Sequence, residues 1–520
     1  MILALINRLS GWNPQLFREL KGQFKPQNLA HTIATSLIFQ GGLVLFYRER
    51  NNWQEWWLHL FQVMSWILLL ILLVGGVGML IADMAKEERR GTLNFIRLSP
   101  ESSESILIGK MLGVPALIYL GVALAIPLHL VSALGAGVPL SFLFSFYLLI
   151  GVACCFFYSL ALLNIFVKGS QAWDQPQAWA GCVLTGLCTV MSLGTMFSYL
   201  HWSSFFYQSP IHEWQWFHLP IGRNVATVHG FIILSLCLWT YLIWNSLNRR
   251  FRSPNTTLIS KQQSYWSVAC LEMWLVGFFV IERSTSGSNE FKGELQVILL
   301  ALIFINLMWF LFLIAALSPH RQALQDWSRY RHKQNTDVRS QSPEEVLNSN
   351  FRLQMPSVCQ DLIWGEKSPA VVAIGINLAI TAAIYLPWIL MWPADTGKFR
   401  AITSFVLSLS LILIYSLIAQ LMLLLKTKKR AMLAFNAVAF AILAPPLLLI
   451  LLSIDPKVQS VVWLLSTGAW PALQYASAMS VFLAFLGQLT VISLLSLQLT
   501  RQLRKAGESA SKPLLTSSPS

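Results

Sequence analysis

Residues 57–82 read WLHLFQVMSWILLLILLVGGVGMLIA and contain no Asp, Glu, Lys or Arg. An apolar run of about 20 residues is long enough for a helix to cross the roughly 30 Å hydrocarbon layer of a membrane. The stretch that follows has the opposite character, because eight of the 19 residues at positions 86–104 are charged. We refer to residues 86–104 as the charged segment. The sequence here predicts a membrane-spanning helix followed by a polar connection outside the hydrocarbon.

The composition extends this interpretation to the whole chain of 520 residues. Hydrophobic residues make up 55% of it, charged residues make up 12%, and the mean hydropathy is +0.58. A soluble domain carries about 25% charged residues. The apolar runs are continuous, whereas the strands of a membrane β-barrel alternate in polarity. Because a helix satisfies its own backbone hydrogen bonds in lipid, we predict an all-α polytopic bundle of an integral membrane protein.

Twelve apolar runs predict about 12 transmembrane helices. They cover residues 28–47, 57–82, 105–132, 139–167, 178–199, 224–247, 266–282, 295–317, 369–391, 401–425, 431–453 and 473–499. With the N-terminus in the cytoplasm, 29 of the 37 Lys and Arg residues lie on cytoplasmic segments and eight on or beside outer loops. This positive-inside bias predicts that both termini are cytoplasmic, in a plasma or inner membrane. Topology and the anionic lipids of the bilayer account for the net charge of +14, so no nucleic-acid partner is predicted.

The spans and their connections divide the chain into six predicted parts. These are a cytoplasmic amphipathic helix at 1–27, a first six-span half at 28–247, a cytoplasmic link with spans seven and eight at 248–317, a polar cytoplasmic loop at 318–368, spans nine to twelve at 369–499, and a cytoplasmic tail at 500–520. Leu16 and Leu20 share one helical face opposite Arg18 and Lys21, which predicts a helix lying at the inner interface. The polar loop is predicted to link two halves.

The charged segment has the features of a docking surface for another protein. Three apolar residues are predicted to enter a groove of the partner: Leu93, Ile96 and Leu98. Gly91 lets the chain turn as it leaves the second span. The pair Ser99-Pro100 predicts the N-cap and first residue of the next helix. The alternative is a solvated loop whose charges only anchor the topology.

A short motif covers the charged segment and the start of the third span. It reads Glu87-Glu88-Arg89-Arg90-Gly91-Thr92-Leu93, then Ser99-Pro100, then Gly109-Lys110. This order resembles the motif between the second and third spans of ABC-2 type ABC transporter permeases, and the resemblance covers about residues 13–247. It implies an exporter subunit that moves substrate with energy from a separate ABC ATPase subunit. The ATPase-coupling residues that it implies are Glu87, Glu88, Arg89, Arg90, Gly91, Thr92 and Leu93.

The sequence predicts no ATPase or other enzyme within the chain. No GxxxxGK[ST] motif occurs, and Gly109-Lys110 lacks the upstream glycine of a P-loop. The seven cysteines form no CxxC pair, so neither a metal nor a cofactor site is predicted. A metalloenzyme would need a site such as HExxH, which is missing around the four potential ligands His201, His212, Glu213 and His218. Energy for transport would come from a separate nucleotide-binding subunit or from an ion gradient.

The alternative function is an ion-coupled secondary transporter, which needs ionisable groups inside the membrane. The sequence offers Glu272 in span seven, His129 in span three, His31 in span one and Asp83 at the end of span two. Most of them lie near a predicted membrane surface. This scarcity of buried charge argues against ion coupling.

An internal repeat is a further hypothesis, because transporter folds are often duplicated. An offset of 340 residues relates Arg89–Leu93 to Lys429–Leu433, although the second copy lacks both glutamates and the glycine. A similar offset relates Lys25-Pro26 to the residues before span nine. If the halves are duplicates, only the first coupling site is well preserved. If they are not, the functional unit would include a second permease copy.

Overall fold

The long apolar runs form α-helices in the computed structural model, which describes residues 11–47, 53–168, 214–279, 291–340, 358–392, 397–427, 429–467 and 469–507. Every regular element within these ranges is a helix, and an isolated bridge pairs Trp216 with Leu219. The prediction of an all-helical fold is confirmed for this part of the chain.

Ten of the described helices are long and apolar enough to cross a membrane. Two predicted spans account for the difference from twelve. The predicted span 178–199 lies outside the described residues. The predicted span 266–282 corresponds to the helix Lys261–Gly277, whose 17 residues are fewer than the roughly 20 that a membrane crossing usually needs. The fold is therefore that of a multi-pass helical membrane protein.

The chain divides into two compact units, Met1–Pro254 and Asn255–Ser520. The polar loop at 318–368 lies inside the second unit. The sequence had predicted that it links two halves of the chain. It contains the helices Arg321–Ser340 and Val358–Trp364. Asp361 in the shorter helix accepts hydrogen bonds from Trp327 Nε1 at 2.8 Å and Arg331 Nη2 at 2.5 Å in the longer one. The two described helices of this loop are thus joined by side-chain contacts.

The described part of the first unit begins with a short helix and continues with long ones. Its helices are α1 (Pro14–Gln23), α2 (Pro26–Tyr47), α3 (Trp53–Leu70), α4 (Gly76–Arg89), α5 (Thr92–Arg97), α6 (Ser103–Gly113), α7 (Ala116–Gly135), α8 (Leu140–Lys168) and α9 (Val225–Arg252). A π-helical turn, Ile71–Gly75, joins α3 to α4. The predicted span 105–132 is divided, because Pro115 interrupts the chain between α6 and α7.

The second unit is built in a similar way. Its helices are α10 (Lys261–Gly277), α11 (Phe291–Leu317), α12 (Arg321–Ser340), α13 (Val358–Trp364), α14 (Val371–Met391), α15 (Lys398–Leu423), α16 (Arg430–Leu451), α17 (Ser460–Leu464), α18 (Trp470–Leu473) and α19 (Ala478–Gly507).

The two units share an order of packing among their long helices. In the first unit α2 contacts α7, α4 contacts α8, and α8 contacts the final helix α9. In the second unit α10 contacts α14, α11 contacts α15, and α15 contacts the final helix α19. In each unit a polar connection separates the second long helix from the third. For the first unit this connection is the charged segment, and for the second it is the polar loop at 318–368.

Candidate functional site

The first described helix, α1, is fixed to α6, where the charged segment ends. Asn13 caps α1, because its side-chain oxygen accepts a hydrogen bond from Leu16 N at 2.8 Å. The same side chain donates to the Ser105 carbonyl at 2.7 Å. Leu16 and Leu20 are buried together with Ala116. An amphipathic helix is present at Pro14–Gln23, and its two buried leucines pack against the protein.

Two glycines of α6 allow this close approach. A Cβ atom at Gly109 would lie 2.8 Å from Asn13 Oδ1 and 2.9 Å from Leu16 N. A Cβ atom at Gly113 would lie 2.5 Å from the Cβ atom of Glu19. All three distances are shorter than van der Waals contact, so α6 can hold α1 only with glycine at these positions. Gly109, a residue of the sequence motif, thus has a structural role.

Replacing Gly109 by alanine is expected to loosen α1, because the new methyl group meets the backbone of Leu16. Overpacking of this kind costs about 1–3 kcal/mol, and the better helix propensity of alanine returns at most about 1 kcal/mol. The measurement is the melting temperature of the purified protein in detergent micelles. Gly78→Ala in α4 is the matched control, because no atom lies within 4 Å of its added Cβ. Equal melting temperatures for the two variants would contradict the close-contact assignment.

Behind α1 lies a cluster of five charged side chains centred on Lys110. Its ammonium contacts Asp83 Oδ2 at 2.6 Å, Glu19 Oε1 at 2.8 Å and Glu87 Oε1 at 2.8 Å. Arg18 contacts the same oxygens of Glu87 at 2.6 Å and Glu19 at 3.0 Å. Three carboxylates thus face two cations. The cluster joins α1, the end of α4 and α6.

Lys110 remains charged although only 2% of its side chain is exposed. Burial alone would lower its pKa, but the three carboxylates outweigh burial and raise the pKa of the ammonium above its usual value. The carboxylate oxygens of Glu19, Asp83 and Glu87 lie within 4.8 Å of one another, a spacing that would suit a metal ion. Lys110 Nζ already lies within ion-pair distance of all three. We therefore describe the cluster as a structural ion network.

The charged segment itself forms a turn and a short helix. Gly91 has φ = 71°, which is the left-handed conformation that favours glycine, and it begins α5. The predicted turn at this position is confirmed. The next helix, however, does not begin at Ser99-Pro100 as predicted. Its N-cap is Ser102, whose hydroxyl accepts from Ser105 N at 3.1 Å, so α6 begins at Ser103.

The short helix α5 turns a different face outward from the one predicted. Leu93 and Ile96 are each 5% exposed and pack into the protein. Phe95 is 76% exposed and Leu98 is 84% exposed. Leu98 is thus exposed, as contact with a partner would require, whereas Leu93 and Ile96 were expected to face outward and instead face inward. Phe95, which is also exposed, was not among the predicted contact residues. The helical spacing of Leu93 and Ile96 indicates one shared face, but it does not say whether that face is turned inward.

The other predicted coupling residues fall into two groups. Glu87 contacts Lys110 and Arg18 within the chain, and Glu88 is partly buried near Arg97. The remaining predicted residues are exposed: Arg89, Arg90, Gly91 and Thr92. The outward face of the charged segment therefore combines two arginines with Phe95 and Leu98.

The inner side of α5 is attached to the ends of α8 and α9. The Arg97 guanidinium lies 5.5 Å from the ring centre of Phe166 and 5.7 Å from that of Phe251, in cation–π contact. Burial lowers the pKa of Arg97, and nearby Glu88 partly opposes this effect. In addition, Arg252 Nε donates to Ser103 Oγ at 2.9 Å. The charged segment is thus held from both sides, by α1 and by α9.

A second polar group lies inside the second unit. Glu272 in α10 is fully buried and accepts hydrogen bonds from Thr381 Oγ1 at 2.9 Å and Asn306 Nδ2 at 3.4 Å. Asn306 also donates to the Tyr385 hydroxyl at 3.4 Å. We refer to Glu272, Asn306, Thr381 and Tyr385 as the buried polar cluster. It connects α10, α11 and α14.

The other ionisable candidates have separate surroundings. His129 is buried, with Nε2 2.9 Å from Ser65 Oγ and Nδ1 2.6 Å from the Tyr147 hydroxyl. His31 is exposed near the start of α2, and Asp83 belongs to the ion network. Of the four potential metal ligands in the aromatic stretch, His201, His212 and Glu213 lie outside the described residues. His218 is described and exposed.

Comparison with protein-family models, curated proteins and solved structures gave no match. The class of the molecule follows from its fold, which is that of an all-helical multi-pass membrane protein. Two features could give this protein a more specific function: the charged segment and the buried polar cluster.

Proposed function

We propose that this protein is the membrane-spanning permease subunit of an ATP-binding cassette transporter, in which a separate ATPase subunit docks on the charged segment. The observation that carries the proposal is α5, a short helix with Phe95 and Leu98 turned outward between two long apolar helices. Exposed aromatic and aliphatic anchors beside arginines are typical of protein interfaces. The sequence motif that resembles ABC-2 type permeases contains this helix. The test is whether the ATPase subunit still co-purifies with the protein when these two side chains are truncated to alanine.

The attachments of α5 support a mechanical role. The ion network around Lys110 ties α1, α4 and α6 together, and Arg97 ties α5 to α8 and α9. A displacement of α5 would therefore be passed to several long helices at once. Closing of two ATPase subunits on ATP would push the charged segment and rock the helices between two access states. Such rigid-body motion is a common form of switching.

The second unit offers a counterpart of the charged segment. The polar loop at 318–368 follows the second long helix of its unit, as the charged segment does in the first. Within this loop α12 carries the exposed Arg329, whereas Arg321 donates to the Leu424 carbonyl and Arg331 is paired with Asp361. The predicted echo at Lys429–Leu433 is instead the start of the long helix α16, with Lys429 as its N-cap. We therefore propose that one chain contributes two ATPase-docking sites of different structure.

A second candidate function is an ion-coupled transporter, and the buried polar cluster favours it. A fully buried glutamate between three helices is the kind of group that binds a proton or a sodium ion in secondary transporters. The sequence placed Glu272 close to the end of a predicted span. In the structure its side chain is fully buried. The same cluster also has a structural explanation, since Thr381 and Asn306 already donate to the carboxyl group.

Glu272→Gln distinguishes these two functions. If ATP drives transport, the variant is expected to keep the ATP hydrolysis rate of the purified complex in liposomes within about twofold. If an ion drives transport, sodium or acid should raise the melting temperature of the wild-type protein by binding the folded state. Glu272→Gln would then abolish this rise. Asp455→Asn, which changes an exposed carboxylate, serves as the control and should alter neither measurement.

A further inference from the structure

A cavity of about 460 Å³ lies between α2, α3 and α7 in the first unit. Its volume is within the range of about 300–1,000 Å³ typical of small-molecule sites. The cavity is separate from the ion network and from the buried polar cluster, because none of their residues lines it. No role has been assigned to it so far.

The walls of the cavity differ in polarity. The wall from α2 carries neutral hydrogen-bonding groups at helical spacing, namely Thr32, Thr35, Ser36 and Gln40, with His31 at one end. The walls from α3 and α7 are apolar and include Met64, Leu68, Ile118 and Val122. No Asp, Glu, Lys or Arg lines the cavity. An elongated ligand would meet hydrocarbon on two sides and uncharged polar groups on the third.

Some of the polar groups are still available for a ligand. Gln40 Nε2 donates to Ser36 Oγ at 2.9 Å and to the Leu124 carbonyl at 3.3 Å. Ser36 in turn donates to the Gly121 carbonyl at 3.2 Å. Among the described contacts, Gln40 Oε1 and the Thr35 hydroxyl have no hydrogen-bond partner. One acceptor and one hydroxyl thus face a mainly apolar space.

The helix that carries the polar wall, α2, has a large exposed surface. None of the 22 residues of α2 is buried, whereas Met64 and Leu68 on the opposite wall are 1% and 2% exposed. The side of the cavity next to α3 includes Ile71, the first residue of the π-helical turn. Such turns are frequent at functional sites. Since α2 has little core to disrupt, it can move aside to admit a ligand from the bilayer.

We propose that this cavity binds a single-chain amphiphile with an uncharged, hydrogen-bonding head group, which enters sideways from the lipid. Its head group pairs with Thr35 and Gln40, and its chain lies along Met64, Leu68 and Val122. The further assignment of this cavity as the cargo site of a permease rests on the proposed function. The binding of the amphiphile itself does not.

The test uses purified full-length protein in phosphatidylcholine vesicles without ATP or ATPase. The probe is hexadecanol carrying a photoreactive diazirine, and labelled peptides are mapped by mass spectrometry. Labelling is expected on α2 and α7, and excess hexadecanol should compete for it more strongly than hexadecylammonium. Labelling spread over all lipid-facing helices without competition would overturn the site. Equal competition by the ammonium compound would overturn the uncharged head group.

Two substitutions locate the probe. Gly121→Leu fills the cavity, because a Cβ atom there lies 3.7 Å from Thr32 Cγ2, and it should reduce labelling about tenfold. Gly151→Leu in α8 points into open space and should leave labelling unchanged. Thr35→Val keeps the shape of an exposed side chain and should weaken competition by hexadecanol. Equal labelling of all three variants would contradict the proposal. Because no ATPase is present, this result is independent of whether one docks on the charged segment.

Discussion

Replacing Lys110 by methionine is expected to lower the free energy of unfolding by about 3–5 kcal/mol, the usual effect of removing one partner from a buried ion pair. Methionine fills much of the space of lysine but carries no charge. Glu19, Asp83 and Glu87 would then lie within 4.8 Å of one another with Arg18 as their described cation. Their mutual repulsion should separate α1 from α4 and α6.

The measurement is the melting temperature in detergent micelles, with Lys86→Met as the control. Lys86 belongs to the same segment but is exposed, so its replacement should change stability by no more than about 0.5 kcal/mol. Combining Lys110→Met with Glu19→Gln, Asp83→Asn and Glu87→Gln should recover most of the loss, because the unpaired charges are then removed. A single variant as stable as wild type would disprove the role of the ion network.

The pH dependence of the Lys110 contribution follows from the direction of its pKa shift. The pKa is raised in the folded protein, because the carboxylates outweigh burial. The stabilisation is therefore complete below the ordinary pKa of lysine, and it is lost as the pH rises through the higher folded-state value. Between neutral pH and about pH 9, titration of Lys110 should therefore not change the difference in the free energy of unfolding between wild type and Lys110→Met.

The sequence was sufficient for features that depend on local pattern. Continuous apolar runs predicted the helices, Gly91 predicted a turn, and the alternation of Leu16 and Leu20 with charged residues predicted α1. Each of these signals lies within one or two helical turns. The apolar residues recur at the spacing of one helical face, and this match is set by residues within the same one or two turns.

Features that depend on distant contacts could not be predicted in this way. Glu87 was expected to face a partner, but its carboxylate contacts Lys110, 23 residues further on, and Arg18, 69 residues back. Whether Leu93 or Phe95 faces outward depends on the ends of α8 and α9. One signal was available: Gly109 and Gly113 are four residues apart, a spacing of small residues that is typical of closely packed helices.

Truncating Phe95 and Leu98 together to alanine is expected to abolish co-purification of the ATPase while leaving membrane insertion and melting temperature unchanged. Both side chains are largely exposed, so the protein alone loses little packing. Central apolar anchors of an interface each contribute about 2 kcal/mol or more, so the pair should weaken binding at least about 100-fold. Charge reversal at Glu87 would be a poorer test, because it would also break the ion network.

The matched control is Leu140→Ala with Phe144→Ala, a leucine and a phenylalanine that are 65% and 74% exposed on α8. In the predicted topology they lie on the opposite side of the membrane, so the ATPase should remain bound.

Incorporation of a photocrosslinking amino acid at position 95 gives an independent test of ATPase docking. It should capture a protein whose sequence contains GxxxxGK[ST], whereas the same group at the buried position 93 should not. Crosslinks to lipid alone from position 95 would contradict the docking site. Because Arg97 ties α5 to α8 and α9, an ATPase bound there is coupled to the long helices of the first unit. If it is not bound there, the buried polar cluster becomes the better starting point for the energy source.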